Sequence, residues 1–207
     1  MLKAVDLTLW RGASCLFEDL SFELDQGSAS LVRGPNGSGK TTLLRVICGL
    51  TRPESGRVEW KHAPIESVRE EYGSQLAYFG HTTGLKADLT VVQNLTFVAR
   101  MQRQAGRPWA PFLEALELTP CADLELRYLS AGQQRRTALA RVLMSKARLW
   151  LMDEPFTNLD DAGRDYVRER IDAQLENGGI ALIATHQDLE LRTDSVTTIN
   201  LGERACI

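Results

Sequence analysis

The segment Gly34–Thr41, GPNGSGKT, combines glycines, a lysine and a hydroxyl residue at spacings that suit phosphate binding. It fits G-x-x-x-x-G-K-[ST] and lies between the strand-like SASLVR and the helix-like TTLLRVICGL. The glycines let backbone N–H groups converge on an anion, and the helix N-terminus adds partial positive charge. Lys40 would place a point charge on the β and γ phosphates, and Thr41 would ligate Mg²⁺. The residues predicted to bind the nucleotide here are Gly34, Pro35, Asn36, Gly37, Ser38, Gly39, Lys40, Thr41 and Thr42.

Two adjacent carboxylates end the apolar run RLWLMDE, Arg148–Glu154. Ligands of open α/β sheets bind at the carboxyl ends of strands, so Asp153 is predicted to hold Mg²⁺ through water. Glu154 would then act as the general base for the water that attacks the γ-phosphate. The alternative is a solvated pair at a strand end, which the nearby phosphate-binding loop makes less attractive.

His186 follows a second apolar strand, IALIAT. A histidine in this position is often structural. If its strand ends at the same sheet edge as Asp153 and Glu154, however, it would contact the γ-phosphate or Glu154. The predicted catalytic residues are therefore Lys40, Glu154 and His186.

The segment LSAGQQRR, Leu129–Arg136, places a serine and a glycine at the start of a predicted helix, AGQQRRTALARVLMS. Ser130 and Gln133 have the spacing of a capping box, and the exposed N–H groups predict a second anion site. One nucleotide cannot readily occupy two such sites at opposite ends of one domain. The alternative is that Ser130 is simply an N-cap, and both roles are compatible.

The elements that must position these residues alternate between strand and helix, which predicts a mainly parallel α/β sheet. The first third is β-rich. A helical stretch starts at a capping box formed by Thr90 and Gln93 and is predicted to end at Gly106 and Pro108. After a second short helix, PWAPFLEALEL, the pattern continues with RLWLM, a helix from Asp160 to about Asn177, IALIAT, and a short last helix and strand.

Composition restricts the class of protein. The chain has 207 residues, of which 43% are hydrophobic and 25% charged, and no apolar run approaches the roughly 18 to 20 residues that cross a bilayer. Asp6 interrupts the N-terminal segment where a signal peptide would be apolar, so a cytosolic protein is expected. The four cysteines show no metal-site spacing and are expected to be reduced. A net charge of −3 argues against nucleic acid as a partner, although arginines cluster at Arg135, Arg136 and Arg141.

Taken in order, these motifs resemble those of the nucleotide-binding subunit of ABC transporters over essentially the whole chain. GPNGSGKT looks like the Walker A loop, LWLMDE the Walker B strand, NLD at Asn158–Asp160 the D-loop and TH the H-switch. LSAGQ looks like the signature sequence, with Ala131 where glycine is commoner. The resemblance implies an α/β P-loop ATPase core with an N-terminal antiparallel β region and a helical insertion at about residues 82–130, all within one domain, 1–207. It also implies ATP and Mg²⁺ as cofactors.

The resemblance further implies a head-to-tail dimer. In that arrangement ATP on the Walker A loop of one subunit is covered by Ser130, Gly132 and Gln133 of the other. Members of the family usually stack an aromatic residue from an early strand on adenine. Trp10 in LTLWRG is the candidate by position, Phe17 is the alternative, and Trp10 could instead be a packed edge residue.

His81 stands where the family usually has a glutamine that senses Mg²⁺ and the membrane partner. FGHTTGLKADLTVVQNL, with LSAGQQRR and GGIALIATHQDL, resembles the ATPase subunit of bacterial cytochrome c maturation, named in the family as a haem exporter. That likeness implies a peripheral subunit on the cytoplasmic face of the inner membrane, an integral membrane partner and haem-handling membrane proteins. His81 would lie near the nucleotide and relay its state, rather than serve as a metal or haem ligand, a pH sensor or a packed loop residue.

Other functions remain open at this stage. An ABC exporter for another cargo, such as a drug or a lipid, would carry the same motifs. A soluble ABC ATPase acting on DNA or ribosomes would need a coiled-coil insertion or a second cassette, which the sequence does not have. A nucleotide kinase would leave LSAGQ and Glu154 unexplained. Cargo, direction of movement and stoichiometry do not follow from the sequence, nor does the choice between haem and a haem chaperone as the released species.

Overall fold

A computed structural model describes residues 1–101 and 108–202. Its strands are β1 (Leu2–Arg11), β2 (Ser14–Leu24), β3 (Ala29–Arg33), β4 (Ser55–Trp60), β5 (Ala63–Pro64), β6 (Leu76–Phe79), β7 (Leu149–Asp153), β8 (Ile180–Ala184) and β9 (Val196–Asn200). Its α-helices are α1 (Lys40–Ile47), α2 (Arg69–Ser74), α3 (Val91–Met101), α4 (Ala110–Ala115), α5 (Ala131–Leu143) and α6 (Asp161–Glu176). Short 3₁₀ turns lie at Thr119–Cys121 and Leu126–Tyr128.

The chain divides into two compact units. The first consists of Met1–Tyr78, Ala147–Glu154 and Asp172–Ile207, and the second of Phe79–Lys146 and Pro155–Ile171. The insertion predicted at about 82–130 lies within the second unit. The prediction of a single domain stays a prediction.

The first unit contains an antiparallel sheet in the order β2-β1-β4-β5. Leu2 pairs with Leu24 on one side and with Trp60 on the other, and all three side chains are buried. Buried apolar residues alternate with half-buried or exposed ones along β1, as expected of a sheet with one face on the core. The predicted N-terminal antiparallel β region is confirmed.

The second sheet has the order β6-β7-β8-β3-β9, and β7–β8, β8–β3 and β3–β9 pair in parallel. Every residue of β7 and β8 is buried, and apart from Asp153 both strands are continuous apolar runs, as is typical of parallel strands covered on both faces. Asp153 is in register with Ala184, and Val32 with the same residue from the other side. The carboxyl ends of the three strands therefore align at one edge, and the predicted parallel sheet is confirmed.

Helix α1 buries Leu43, Leu44, Val46 and Ile47 in the core of the first unit. Its last turn is held from outside the helix, because the buried hydroxyl of Tyr72 donates to the Ile47 carbonyl at 2.6 Å. The chain leaves the helix at Gly49, whose φ of 74° lies in the left-handed region that favours glycine.

The second unit contains α3, α4, α5 and the start of α6. The predicted capping box at the start of α3 is present, since Gln93 N–H donates to Thr90 Oγ1 at 3.1 Å and Thr90 N–H to Gln93 Oε1 at 2.9 Å. The end predicted at Gly106 lies outside the described residues, and Pro108 is not helical. The helix predicted in PWAPFLEALEL is α4.

The short helix predicted before the last strand is wrong, because residues 187–195 contain bends and no helix. Their backbone groups bond elsewhere: Arg192 N–H donates to Asp172 Oδ1 at 2.9 Å, and Ser195 N–H to Thr193 Oγ1 at 3.2 Å. Such local and tertiary bonds replace the helical ladder.

The cysteines differ in their state. Cys48 and Cys121 are free, whereas Cys15 is disulfide-bonded, so the prediction of reduced thiols is wrong for Cys15. In the described ranges, every helix is too short or too polar to span a bilayer.

Candidate functional site

The loop between β3 and α1 has a backbone that requires its glycines. Gly34, Gly37 and Gly39 have φ values of 148°, 85° and 99°, which L side chains rarely adopt. A Cβ at Gly34 would overlap the Leu201 carbonyl oxygen, and one at Gly39 would lie 3.1 Å from Leu16 Cβ. The sequence pattern therefore reflects both backbone conformation and close packing.

Lys40 and Ser38 give this loop the character of an anion site. The Lys40 side chain is buried, and its ammonium donates to the carbonyls of Gly34 at 2.7 Å and Pro35 at 3.1 Å. The buried Ser38 Oγ lacks a hydrogen-bond partner within the described part of the chain. A buried hydroxyl is costly unless it is bonded, so a phosphate oxygen would suit this position. The predicted phosphate-binding residues thus form one loop around a buried cation.

Thr41 and Asp153, the two predicted Mg²⁺ ligands, are brought together. Thr41 Oγ1 donates to Asp153 Oδ2 at 2.7 Å, and Asp153 is buried at the end of β7. The structure shows no cluster of three or more His, Cys, Asp or Glu residues suited to a metal in its described ranges. Mg²⁺ is commonly held by one or two carboxylates, with water and substrate phosphates supplying the other ligands. One hydroxyl and one carboxylate therefore fit a nucleotide-linked Mg²⁺.

Glu154 and His186 also meet at this edge. His186 Nε2 lies 3.4 Å from Glu154 Oε1, and the Glu154 N–H donates to the Ala184 carbonyl at 2.8 Å. Glu154 has a φ of 51°, an uncommon conformation for a residue other than glycine that tends to occur at functional sites. The predicted contact between the two residues is present, while their catalytic roles stay predictions.

Tyr78 is a neighbour of this site that the sequence did not single out. It lies on β6, next to β7, and burial, followed by the negative charge of Asp153, raises the pKa of its phenol to about 12. The phenol therefore stays protonated at neutral pH. The only sequence signal was an aromatic residue in the strand QLAYF, which is equally typical of a core position.

The N-terminus of α5, in the second unit, has the predicted capping box. Gln133 N–H donates to Ser130 Oγ at 3.2 Å, and Ser130 N–H to Gln133 Oε1 at 2.9 Å. A Cβ at Gly132 would meet only Ser130 Oγ, at 3.9 Å, which is ordinary contact. Nothing in the described chain therefore demands a glycine at position 132.

The D-loop residues lie in the second unit, where they lead into α6. Asn158 has a left-handed φ of 63°, and Asp160 Oδ1 accepts a hydrogen bond from Gly163 N–H at 2.9 Å. This bond satisfies one of the free N–H groups at the helix start.

Residues 80–90 follow β6, and we call them the His81 loop. The side chain of His81 is exposed. It belongs to the second unit, whereas the loop Gly34–Thr41 belongs to the first, so its nearness to the nucleotide stays a prediction.

The sequence did not single out Asn94, which organises the His81 loop. The buried Asn94 side chain accepts from Lys86 N–H at 2.8 Å and donates to the carbonyls of Lys86, Leu89 and Thr90 at 3.0, 3.1 and 3.0 Å. The available sequence signal for Asn94 was a polar residue among the apolar residues Val91 and Leu95 of the predicted helix.

The candidates for stacking on adenine differ in exposure. Trp10, at the end of β1, is 37% exposed, whereas Phe17 is 6% exposed and packs in the core. Phe17 therefore has no free ring face, and Trp10 stays the candidate. The neighbouring Leu16 packs on Gly39, which brings this hairpin to the phosphate-binding loop.

Comparisons with known proteins show the family of this chain. The ABC transporter family profile matches residues 17–157, more than half of the chain. The chain is 42% identical over 206 residues to the cytochrome c biogenesis ATP-binding export protein CcmA of Escherichia coli (strain K12), covering 98% of this chain and 97% of that protein.

Solved structures share the fold. An ATP-binding subunit of an ABC transporter superposes with a TM-score of 0.79 at 26% identity, covering 90% of this chain and 80% of the other. A dimeric ATP-binding cassette in a post-hydrolysis state, bound to ADP and Pi, gives a TM-score of 0.77 at 23% identity over 90% of this chain and 88% of the other. The resemblance predicted from the motifs is confirmed, and the chain belongs to the ABC transporter family.

Proposed function

We propose that the chain is the ATP-hydrolysing subunit of a membrane ABC complex that acts in c-type cytochrome biogenesis. It binds ATP with Mg²⁺, works as a head-to-tail pair and docks on an integral membrane subunit at the cytoplasmic face of the inner membrane. Membrane haem-handling proteins are its further partners, and the species released is haem or a haem-carrying chaperone.

One observation carries the hydrolytic part of this proposal, the 2.7 Å bond between Thr41 Oγ1 and Asp153 Oδ2. It joins the first turn of the phosphate-binding helix to the end of β7, where Glu154 follows. A glycine-rich turn without a catalytic function would not require a buried carboxylate beside its threonine.

The chain's own residues have separate tasks in hydrolysis. Backbone N–H groups of Gly34–Thr41 and the Lys40 ammonium bind the phosphates, and Trp10 stacks on the base. Glu154 accepts the proton of the attacking water at its carboxylate, and His186, 3.4 Å away, orients it. Mg²⁺, held by Thr41 and, through water, by Asp153, would neutralise charge on the β- and γ-phosphate oxygens.

The head-to-tail pair gives a role to the exposed N-terminus of α5. Ser130, Gly132 and Gln133 would cover the nucleotide bound by the second copy, with the helix N-terminus facing the phosphates. The open space around Gly132 supports this assignment, because a glycine there lets a ligand approach the backbone closely.

The cellular role draws its support from the relatives. A protein named for cytochrome c biogenesis is similar to this chain over nearly the full length of both. His81, in place of the usual glutamine, is the feature of this chain that narrows the choice among ABC subunits.

A deletion strain tests the role. Loss of the chain should abolish covalent haem attachment to c-type cytochromes, measured by haem staining of membrane proteins. The wild-type gene should restore it, whereas the Glu154→Gln gene should not. Co-purification from membranes should also recover an integral membrane subunit. Normal c-type cytochromes in the deletion strain would contradict the role, and with a co-purified membrane subunit they would indicate a different cargo.

A further inference from the structure

Three arginines of α5, Arg135, Arg136 and Arg141, have no part in the proposed ATPase chemistry. Arg136 forms an ion pair with the exposed Glu117, in which its Nη1 lies 2.6 Å from Glu117 Oε2. Arg135 and Arg141 contact the chain on either side of His81. The same helix therefore contacts Glu117 through Arg136 and the chain around His81 through Arg135 and Arg141.

Arg135 holds the chain ahead of His81. Its guanidinium carbon lies 4.7 Å from the centroid of the Phe79 ring, within the range of a cation–π interaction. Phe79 is buried and is the last residue of β6, so its ring has a fixed position. The contact joins α5 to the chain two residues before His81.

Arg141 holds the chain after His81. Its Nη1 donates to the Gly84 carbonyl at 3.5 Å, and a Cβ at Gly84 would lie 3.0 Å from the same nitrogen. Gly84 has a φ of 61°, a conformation that favours glycine. Burial lowers the pKa of Arg141, yet an arginine stays protonated in proteins.

Asn94 extends the same support to the remainder of the loop. Its four hydrogen bonds hold Lys86, Leu89 and Thr90 to the start of α3. The chain is thus attached to α5 before His81, at Phe79, and after it, at Gly84, and the remainder of the loop is attached to α3. With these contacts in place, the segment around His81 would follow a displacement of α5.

We propose that Arg135 and Arg141 are positioning residues that couple the N-terminus of α5 to the His81 loop. This inference rests on the proposed function, in which Ser130 and Gln133 meet the nucleotide bound by a second copy. Contact at that end biases the position of α5, and the two arginines carry the change to Phe79 and Gly84. Coupling of this kind requires contiguous contacts, which these two arginines supply.

Hydrogen exchange of the full chain carrying Glu154→Gln, with and without ATP, tests this coupling. ATP should slow exchange about fivefold or more at residues 130–136 and at residues 80–90, a size typical of coupled sites. Adding Arg135→Gln and Arg141→Gln together should leave the slowing at 130–136 intact and abolish it at 80–90. Arg136→Gln, on the same helix, is the matched control and should retain both.

Retention of the ATP effect at 80–90 in the double variant would overturn the inference, as would an equal loss in Arg136→Gln. No ATP effect at 130–136 in the arginine-intact protein would contradict the head-to-tail assembly itself and the inference with it. If the double variant does not fold, the same exchange experiment is done with Arg141→Lys and, as its control, Arg136→Lys, because both substitutions retain the positive charge. Only Arg141→Lys should weaken the response of the His81 loop, and equal responses would overturn the proposal.

Discussion

His186 Nε2 lies 3.4 Å from Glu154 Oε1, although the two residues follow different strands. They meet because β7 and β8 pair in parallel with Asp153 opposite Ala184, so the residues after both strands leave the sheet at one edge. The Glu154 N–H also donates a hydrogen bond to the Ala184 carbonyl, which fixes the backbone of Glu154 to the end of β8. The pair is therefore positioned by the sheet register and by backbone hydrogen bonding together.

Replacing Glu154 with Gln should stop hydrolysis and preserve ATP binding. The amide keeps the shape of the carboxylate but cannot take a proton, and general bases typically contribute roughly 10²- to 10⁴-fold. We expect turnover to fall by at least about 100-fold and an ATP-bound dimer to accumulate, as measured by phosphate release and size-exclusion chromatography. A variant that stays monomeric with ATP and retains full hydrolysis would contradict the assignment.

Replacing Lys40 with Ala should weaken nucleotide binding. A bond to a charged group is typically worth about 1.5 to 3 kcal/mol, so Kd should rise roughly 10- to 150-fold in titration calorimetry. Lys61→Ala is the matched control, because Lys61 is exposed and paired with Glu71 at 2.9 Å. Equal nucleotide affinity in Lys40→Ala and wild type would rule out the phosphate role.

Replacing Gly132 with Ala should preserve the stability of the folded chain and weaken its ATP-dependent dimer. The added methyl group meets no obstacle in the described chain and favours the helix, so thermal stability should stay equal or rise by up to about 1 kcal/mol. The ATP-dependent dimer should nevertheless weaken, because in the proposed head-to-tail pair the methyl group would face the nucleotide of the second copy. A combined measurement of unfolding and sedimentation velocity checks both parts, and a wild-type dimerisation constant would refute the second.

Replacing His81 with Ala should reduce maturation of c-type cytochromes more than it reduces basal hydrolysis. The side chain is exposed in the second unit, so its loss should leave the fold intact. Haem staining in a complemented deletion strain, beside ATPase activity of the purified subunit, measures the two effects. His62→Ala supplies an exposed histidine control. Normal maturation in His81→Ala would exclude the relay role.

The free energy of unfolding should decrease at alkaline pH, partly because of Tyr72. Burial, followed by the charge of Cys48, raises its pKa above the ordinary 10.0, so the folded state holds the phenolic proton more tightly than the unfolded state does. This contribution is complete below pH 10.0 and is lost as pH rises, by up to about 1.4 kcal/mol per pH unit. Burial also raises the pKa of Cys48, to about 11, so other groups add to the fall.

Tyr72→Phe should therefore cost about 1 kcal/mol at pH 7, through the lost bond to Ile47, and show a shallower decline above pH 10. Urea unfolding from pH 7 to 11 measures both effects. Tyr128→Phe is the control, because Tyr128 is 70% exposed. Parallel declines in Tyr72→Phe and wild type would contradict the assignment.

The chemistry of the phosphate-binding loop could be read from the sequence because it is local. Gly34, Gly37 and Gly39 are required by backbone conformation over a few residues, and the capping boxes at Thr90 and Ser130 depend on groups three residues apart. Alternating strand and helix patterns likewise predicted the parallel sheet, since each pattern follows from which faces are buried. The β-rich first third was predicted from alternation in the same way, whereas its antiparallel pairing was implied by the family resemblance.

Contacts between distant parts of the chain had to come from the tertiary structure. The packing of α1 on the sheet places Thr41 beside Asp153, and strand register places Glu154 beside His186. Packing also turns Asn94 inward to hold the His81 loop. It also overrode the helix expected before β9, whose N–H groups found partners in Asp172 and Thr193. Spacing along the chain determines which groups can meet within a turn or two of backbone. Which groups meet across the fold depends on the burial and register of elements far apart in sequence.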